Sequence, residues 1–259
     1  MANQYLSEEL VAPVIGDVAV VTGPEARHAV TVSRLTVGED VRVGNGAGVV
    51  AAGTVTSVAP GEFRFRVDVL QTVERPSPSI WLVQALAKGD RDELAIQAAT
   101  ELGVDGLIPW TASRSISRWE GAKVAKGQER WSAVVREATK QSARAWLPEV
   151  APLVNTKQLA ALAEDARMIV LDPLADVSIT EVALRRAQGP ESAQGPESAR
   201  GPEVDIVVVV GPEGGISPAE FDLLYAAGAV GARLGPGILR TSTAGPAAIA
   251  VLSAKLGRW

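Results

Sequence analysis

Two glycine-rich loops near the carboxyl end of the sequence contain the residues that could do chemistry. The first loop follows the apolar run that ends at Val210, and its residues are Gly211, Pro212, Glu213, Gly214 and Gly215. The residues of the second loop are Leu234, Gly235, Pro236, Gly237, Ile238, Leu239, Arg240 and Thr241. Each loop is predicted to join a buried strand to a helix, where α/β proteins expose backbone N–H and C=O groups to small molecules. We therefore expect a ligand site there.

The composition of these loops favours a neutral or cationic ligand. Neither the dinucleotide pattern G-x-G-x-x-G nor the phosphate loop G-x-x-x-x-G-K-[ST] is present, and the carboxylate of Glu213 would repel a phosphate. Glycines let the backbone approach a ligand closely, so the two loops suit the edge of an adenine ring, read through main-chain hydrogen bonds. The tripeptide Gly-Pro-Glu alone is a weak signal, because it occurs five times in the chain.

Glu213 and Arg240 are the candidate catalytic residues, as orienting or charge-stabilising groups. A simple ion pair with a surface acid is the alternative role for Arg240, and no residue stands out as a general base. The chain has no cysteine and a single histidine, His28. This composition excludes a thiol nucleophile, disulfides and multi-histidine metal sites, so we predict no bound metal.

Alternating strands and helices must position the two loops. From residue 80 onward, four apolar runs are typical of buried strands: 80–86, 106–110, 168–171 and 207–210. Because predicted helices separate them, they indicate an α/β fold with a mostly parallel sheet that is covered on both faces.

The helix signals are local capping patterns and apolar periodicity. Asp90 is predicted to cap a helix that buries one face, formed by Leu94, Ala98 and Leu102. Ser217 and Glu220 form a capping box. The last helix has candidate caps in Thr241, Ser242 and Thr243, which would place Pro246 in its first turn. Residues 178–187 read as a short helix.

The first part of the chain has a different pattern, with short β-like runs and a hairpin turn at Gly44, Asn45 and Gly46. We predict a small β-rich domain over residues 1–75 and an α/β domain over residues 76–259. Their boundary is set by a proline-rich break that begins at Arg75. Residues 188–203 repeat Gly-Pro-Glu-Ser and are predicted to be a disordered surface loop without a role of its own.

Charge is distributed unevenly along the chain. The net charge is −5, yet residues 114–144 contain eight basic and three acidic residues, a local charge of +5. A basic face on an acidic protein suits an RNA partner, and a solvated helix is the alternative. We find neither a signal peptide nor an apolar run long enough for a membrane span, so we predict a cytoplasmic protein without a membrane partner.

The order and spacing of several motifs resemble the SPOUT class of RNA methyltransferases, and within it the RsmE group that methylates uracil N3 in 16S ribosomal RNA. The matching residues extend over most of the chain: Lys88-Gly89-Asp90-Arg91, Glu101-Leu102-Gly103-Val104, Arg114, Gln141-Ser142-x-Arg144 with Pro148, and the two glycine-rich loops. The segment before residue 76 is similar to the PUA-like RNA-binding module of that family.

This resemblance implies a trefoil knot, a homodimer and S-adenosylmethionine as cofactor. It adds Leu171 and Asp172 to the two loops as cofactor-binding residues. The RNA-binding residues that it implies are Arg27, His28, Arg34, Lys88, Arg91, Arg114, Gln141 and Arg144. The implied substrate is 16S ribosomal RNA in the assembled 30S subunit. Methylation of nitrogen is consistent with a cysteine-free chain, since it needs no covalent thiol adduct.

Two residues depart from the family pattern. Ser242 and Lys140 stand where the family commonly has Glu, and Lys140 is expected to add positive charge to the RNA face. Ser242 favours the first alternative function, a non-catalytic RNA- or ribosome-binding protein that keeps the fold. The second alternative is an α/β transferase for small molecules, which would not depend on the basic segment.

Overall fold

The structure is a computed structural model that describes residues 3–184 and 204–259. The chain divides into two compact units. Unit 1 comprises Met1–Arg75 and Arg136–Leu147, and unit 2 comprises Pro76–Val135 and Pro148–Trp259. The predicted repeat loop, 188–203, lies outside the described residues.

Unit 1 is built on a barrel-like sheet of five strands in the order β1-β3-β4-β5-β2. The strands are β1 (Asn3–Leu6), β2 (Val18–Thr22), β3 (Asp40–Gly44), β4 (Val49–Ala59) and β5 (Glu62–Thr72). The first half of β5 alternates, since Phe63 and Phe65 are buried whereas Arg64 and Arg66 are exposed. The predicted hairpin turn is confirmed, because the side chain of Asn45 accepts hydrogen bonds from the N–H groups of Ala47 and Val49.

Unit 1 also contains a helix, α1 (Gly23–Thr31), that the sequence patterns did not indicate. Its buried residues are only Ala26 and Ala29, so it lacks the apolar stripe by which an amphipathic helix is recognised.

Unit 2 contains a parallel sheet, as predicted. Its strands are β6 (Ile80–Ala85), β7 (Gly106–Thr111), β8 (Glu149–Val150), β9 (Val154–Asn155), β10 (Arg167–Leu171), β11 (Ile206–Val210) and β12 (Val230–Ala232). The order is β12-β10-β11-β6-β7-β8, with β9 also paired to β7, and each of these pairs is parallel. All five residues of β11 are buried, as both faces of the sheet are covered. The trefoil knot stays a prediction.

The described helices of this part of the chain are α2 (Arg91–Glu101), α3 (Ala122–Gln141), α4 (Thr156–Ala161), α5 (Pro218–Ala226) and α6 (Thr241–Lys255), with a 3₁₀ turn at Leu162–Glu164. Helix α3 is divided between the two units: residues 122–135 belong to unit 2 and residues 136–141 belong to unit 1. Among the described residues, no helix combines the length and the apolar character that a membrane span requires.

Three helix predictions were wrong in detail. Helix α2 buries Ala95, Ile96 and Ala99 instead of the predicted face, and Leu94 is 51% exposed. The predicted face was set mainly by two leucines, whereas Ile96 is the one large apolar residue that the helix buries. The side chain of Asp90 makes no capping hydrogen bond. The described part of 178–187 contains turns and no helix.

The start of α6 also differs from the prediction. Arg240 is its N-cap residue, and its side chain makes no capping hydrogen bond. Thr241 is the first helical residue, so Pro246 lies beyond the first turn, inside the helix.

Candidate functional site

The predicted ligand loops lie at one edge of the parallel sheet. Strands β12, β10, β11, β6 and β7 are adjacent and parallel, so the segments that follow them leave the sheet at the same edge. These segments begin at Arg233, Asp172, Gly211, Leu86 and Ala112. Such an edge is the usual ligand site of open α/β sheets.

The connection from β11 to α5, residues 211–217, is called the framed loop here because its neighbours hold it tightly. The loop also packs on itself, since a Cβ atom added to Gly211 would lie 2.7 Å from Cγ1 of Ile216 near its other end. The Oε1 atom of Glu213 accepts a 2.7 Å hydrogen bond from Arg91 and a 3.0 Å bond from the N–H of Lys88. Partial burial alone would raise the pKa of Glu213, but its own N–H and the Arg91 and Lys88 donors lower it below the ordinary value.

Arg114 is the second anchor of the framed loop. Its Nη1 atom donates a 3.2 Å hydrogen bond to the carbonyl of Gly214. A Cβ atom added to Gly214 would lie only 3.2 Å from Cβ of Arg114, so glycine permits this close approach. Two predicted RNA-binding residues, Arg91 and Arg114, therefore contact the predicted cofactor loop directly.

The connection from β12 to α6, residues 234–240, is called the open loop. Within the described parts of the chain, no hydrogen bond ties residues 234–239 to other residues. Ile238 is 82% exposed and Leu239 is 41% exposed. The side chain of Arg240 is exposed and has no hydrogen-bond or ion-pair partner among the residues described, so the predicted alternative, an ion pair with a surface acid, is wrong for the described residues.

Thr241 joins the two loops. Its buried hydroxyl donates a 2.8 Å hydrogen bond to the carbonyl of Gly211 and accepts a 2.8 Å bond from Nε2 of Gln84. Sequence reasoning proposed Thr241 as a helix cap or ligand contact, and it gave no indication of the partner Gln84 in β6. The hydroxyl therefore fixes the start of α6 to the end of β11.

Leu171 and Asp172 lie at the end of β10, next to β11 and β12. The carboxylate of Asp172 accepts hydrogen bonds from the N–H of Leu174 (2.9 Å) and the hydroxyl of Tyr225 (3.2 Å). Burial, followed by the charge of Asp172 and the hydrogen bond to it, raises the pKa of Tyr225 to about 12. The phenol thus stays protonated and keeps the Asp172 carboxylate oriented.

Sequence reasoning missed two acidic residues beside these loops. Asp92 follows Arg91, is buried and has a pKa that desolvation raises to about 6. Glu220 was recognised only as a helix cap, yet it is buried and its carboxylate also contacts Ser113 and Thr156. Both acids lie in the first turn of a helix, where acidic residues are so common that the sequence offers no further signal.

The remaining predicted RNA-binding residues lie in unit 1, apart from Lys88, which is exposed in unit 2. Arg27 and His28 are exposed on α1, and Arg34 is exposed with a left-handed φ of 55°. Gln141 is exposed at the end of α3, and Arg144 is partly buried.

Lys140 corrects one expectation. Its Nζ atom is buried and pairs with Glu137 at 2.8 Å and with Glu25 at 3.2 Å. Because these two carboxylates neutralise it, Lys140 does not add exposed positive charge to an RNA face. Its acidic partner Glu25 lies on α1, far away in the sequence.

The sheet edge has the features of a site for an uncharged or cationic organic ligand. A Cβ atom added to Gly215, Gly235 or Gly237 would meet no atom within 4 Å, so the backbone there is open to a close approach. Exposed apolar side chains, Leu174 and Ile238, lie in the loops after β10 and β12. Among the described residues, no group of three or more potential ligands could hold a metal ion.

Comparison with known proteins gives a consistent result for both units. A family model described as an RNA methyltransferase domain matches residues 74–253, and one described as an RNA methyltransferase PUA domain matches residues 21–68. Ribosomal RNA small subunit methyltransferase E of Mycobacterium bovis is 40% identical over 252 residues, which covers 95% of this chain and 90% of that protein.

Two solved structures are also similar, and both contain S-adenosylmethionine. A methyltransferase from Legionella pneumophila superimposes with a TM-score of 0.82 at 26% identity, and the match covers 98% of each chain. Ribosomal RNA small subunit methyltransferase E from Neisseria gonorrhoeae gives a TM-score of 0.80 at 25% identity, with the same coverage. These similarities support methylation and not the non-catalytic alternative. The chain therefore belongs to the RNA methyltransferase family, together with ribosomal RNA small subunit methyltransferase E.

Proposed function

We propose that this protein transfers the methyl group of S-adenosylmethionine to N3 of one uridine in 16S ribosomal RNA. The observation that carries the proposal is the sheet edge, where five adjacent parallel strands bring the predicted cofactor loops together with Arg91 and Arg114. The similar structures with bound S-adenosylmethionine and the relative that modifies small-subunit ribosomal RNA support it.

The residues at the sheet edge fit this cofactor. Main-chain groups beside open glycines suit the adenine edge, exposed apolar side chains suit its faces, and no phosphate has to be accommodated near Glu213. We assign cofactor binding to Leu171, Asp172, Gly211, Pro212, Glu213, Gly214, Gly215, Leu234, Gly235, Pro236, Ile238, Leu239, Arg240 and Thr241. When bound, S-adenosylmethionine supplies an electrophilic methyl group on a positively charged sulfur.

The roles of Glu213 and Arg240 follow from their surroundings. Uracil gains negative charge as the N3 proton leaves. The guanidinium of Arg240, which has no partner in the described part of the chain, can stabilise that charge. The lowered pKa of Glu213 makes it a weak base. Glu213 therefore orients Arg91 through their 2.7 Å contact and does not accept the proton.

Both units are proposed to contribute to RNA binding. Residues 1–75 would form the RNA-binding module and residues 76–259 the methyltransferase domain. Basic side chains and one amide would contact the RNA, and the assigned set is Arg27, His28, Arg34, Lys88, Arg91, Arg114, Gln141 and Arg144. The proposed substrate is the assembled 30S subunit, the proposed active form is a homodimer, and the reaction would take place in the cytoplasm with the ribosomes.

Methyl transfer to ribosomal RNA tests the proposal. Purified protein and labelled S-adenosylmethionine are incubated with 30S subunits, or with naked 16S RNA, from a strain that lacks the gene, and mass spectrometry identifies the methylated base. We expect one 3-methyluridine and faster reaction with 30S subunits. Methylation at a different atom, or no binding of S-adenosylmethionine by calorimetry, would contradict the proposal.

A further inference from the structure

Glu220 accepts more hydrogen bonds than a helix cap requires. Ser217 contributes two, from its N–H at 3.0 Å and its hydroxyl at 2.8 Å. The first of these, with the bond from the Glu220 N–H to the Ser217 hydroxyl, forms the capping box of α5. Ser113 contributes two more, from its N–H at 2.8 Å and its hydroxyl at 2.7 Å. The hydroxyl of Thr156 adds a fifth at 2.9 Å. Both carboxylate oxygens are therefore saturated with donors.

An ordinary capping box does not account for this arrangement. A carboxylate at the third helical position normally faces solvent, but Glu220 is 6% exposed. Three of its donors come from segments that precede it by 107 and 64 residues. Burial alone would raise the pKa of Glu220, but the Ser113 and Ser217 donors lower it to about 2, so the charge is present at any working pH.

The two serines lie next to the groups assigned to cofactor and RNA. Ser113 immediately precedes Arg114, and Ser217 is the last residue of the framed loop. Arg114 in turn donates to the carbonyl of Gly214 within that loop. Glu220 thus holds both ends of the contact between Arg114 and the framed loop.

We infer that Glu220 is a positioning residue that keeps Arg114 and the framed loop in one fixed arrangement for the RNA substrate. This inference rests on the proposed function, because it assigns an RNA contact to Arg114. The carboxylate does not touch the substrate. It acts through Ser113 on one side and Ser217 on the other. Both positions of the side chain must be acceptors, because a glutamine at this site would direct its N–H groups at donors.

A double-mutant cycle on Arg114→Ala and Glu220→Gln tests the inference. The readouts are kcat/KM for RNA at saturating S-adenosylmethionine and the cofactor Kd from calorimetry. Both are measured at a temperature well below the lowest Tm of the four proteins. We expect Glu220→Gln to lower kcat/KM about tenfold, and the double variant to be no worse than Arg114→Ala alone. Independent, multiplicative effects, or wild-type kcat/KM for Glu220→Gln, would overturn the inference.

A matched control separates positioning from general stability. Asn45→Ala removes two side-chain hydrogen bonds from the turn between β3 and β4, involves none of the donors to Glu220, and costs about 1 kcal/mol. It should leave kcat/KM unchanged, and an equal loss in this control would show that Glu220 is only structural. If Glu220→Gln fails to fold, Ser113→Ala replaces it in the cycle, since the Ser113 N–H still reaches the carboxylate. Methyl transfer by the wild type, and its loss in Arg114→Ala alone, test the proposed function without involving Glu220. Failure of the proposed function can therefore be distinguished from failure of this inference.

Discussion

The framed loop and the open loop leave the same sheet edge and look alike in sequence, yet they are held in opposite ways. The framed loop is fixed through Glu213, the carbonyl of Gly214 and the close contact of Gly211 with Ile216. The open loop exposes Ile238 and Arg240 and makes no comparable contacts among the described residues. A rigid loop preorganises a site, whereas a loop without partners keeps its groups free for the ligand. Changes in the framed loop should therefore affect stability, and changes in the open loop should affect only binding and catalysis.

Thr241→Val tests the joint between the loops and should have the largest effect on stability. The variant keeps the side-chain volume but leaves the Gly211 carbonyl without its side-chain donor, and leaves the Gln84 amide with only its bond to the carbonyl of Ala85. Because unsatisfied buried groups cost about 1 to 3 kcal/mol each, we expect a loss of about 3 kcal/mol in urea unfolding. Thr241→Ser retains the hydroxyl and should lose less than about 1 kcal/mol. A valine variant as stable as wild type would show that the two loops are not joined here.

Arg240→Ala tests the open loop. Its guanidinium has no partner among the described residues, so the free energy of unfolding should change by less than about 0.5 kcal/mol. Loss of the charge that stabilises ionised uracil should lower kcat about 100-fold. Lys157→Ala removes a comparable exposed charge from α4 and should leave kcat unchanged. A large stability loss in Arg240→Ala would mean that the open loop is held after all.

These contrasts also show what the sequence could predict. Strands β6, β7, β10 and β11 were predicted to within two residues at each end, because short apolar runs between helix signals are local patterns. The position of the framed loop at a strand end followed directly from β11, whereas the strand before the open loop, β12, was expected without bounds. The order of the strands and the contacts of each loop depend on residues far apart in the chain, and single-sequence patterns carry no such information.

Contacts between residues far apart in the chain also explain the predictions that were wrong for individual residues. Lys140 was expected at an exposed face, but Glu25, 115 residues earlier, neutralises it. The capping role of Glu220 was recognised from Ser217, three residues before it. Its hydrogen bonds to Ser113 and Thr156 could be identified only from the folded structure. Only one of the five buried residues of α2 is a large apolar side chain, so hydrophobic size was misleading where close packing decided burial.

Two glycine-to-alanine changes compare the loops with the same chemistry. A Cβ atom at position 211 would lie 2.7 Å from Ile216, so Gly211→Ala should cost about 1 to 2 kcal/mol through overpacking. A Cβ atom at position 237 meets no atom within 4 Å, so Gly237→Ala should be neutral or slightly stabilising, by up to about 0.5 kcal/mol. Urea unfolding of both variants measures the difference. Equal costs would remove the distinction between a framed and an open loop.

Glu213→Gln should destabilise the protein less than Gly211→Ala, the other change in the framed loop, and tests how that loop is held. The Arg91–Glu213 pair is partly exposed, so its loss should cost about 0.5 kcal/mol at pH 7. Because the folded pKa of Glu213 lies below its ordinary 4.5, this stabilisation is complete above pH 4.5 and is lost as the pH falls through the lowered pKa. Unfolding of wild type and variant across this range should therefore converge in acid, and also in about 1 M salt, which screens the pair. Glu129→Gln, an exposed control on α3, should match wild type throughout. A pH-independent difference would indicate that shape and hydrogen bonding, and not the charge of Glu213, hold the framed loop.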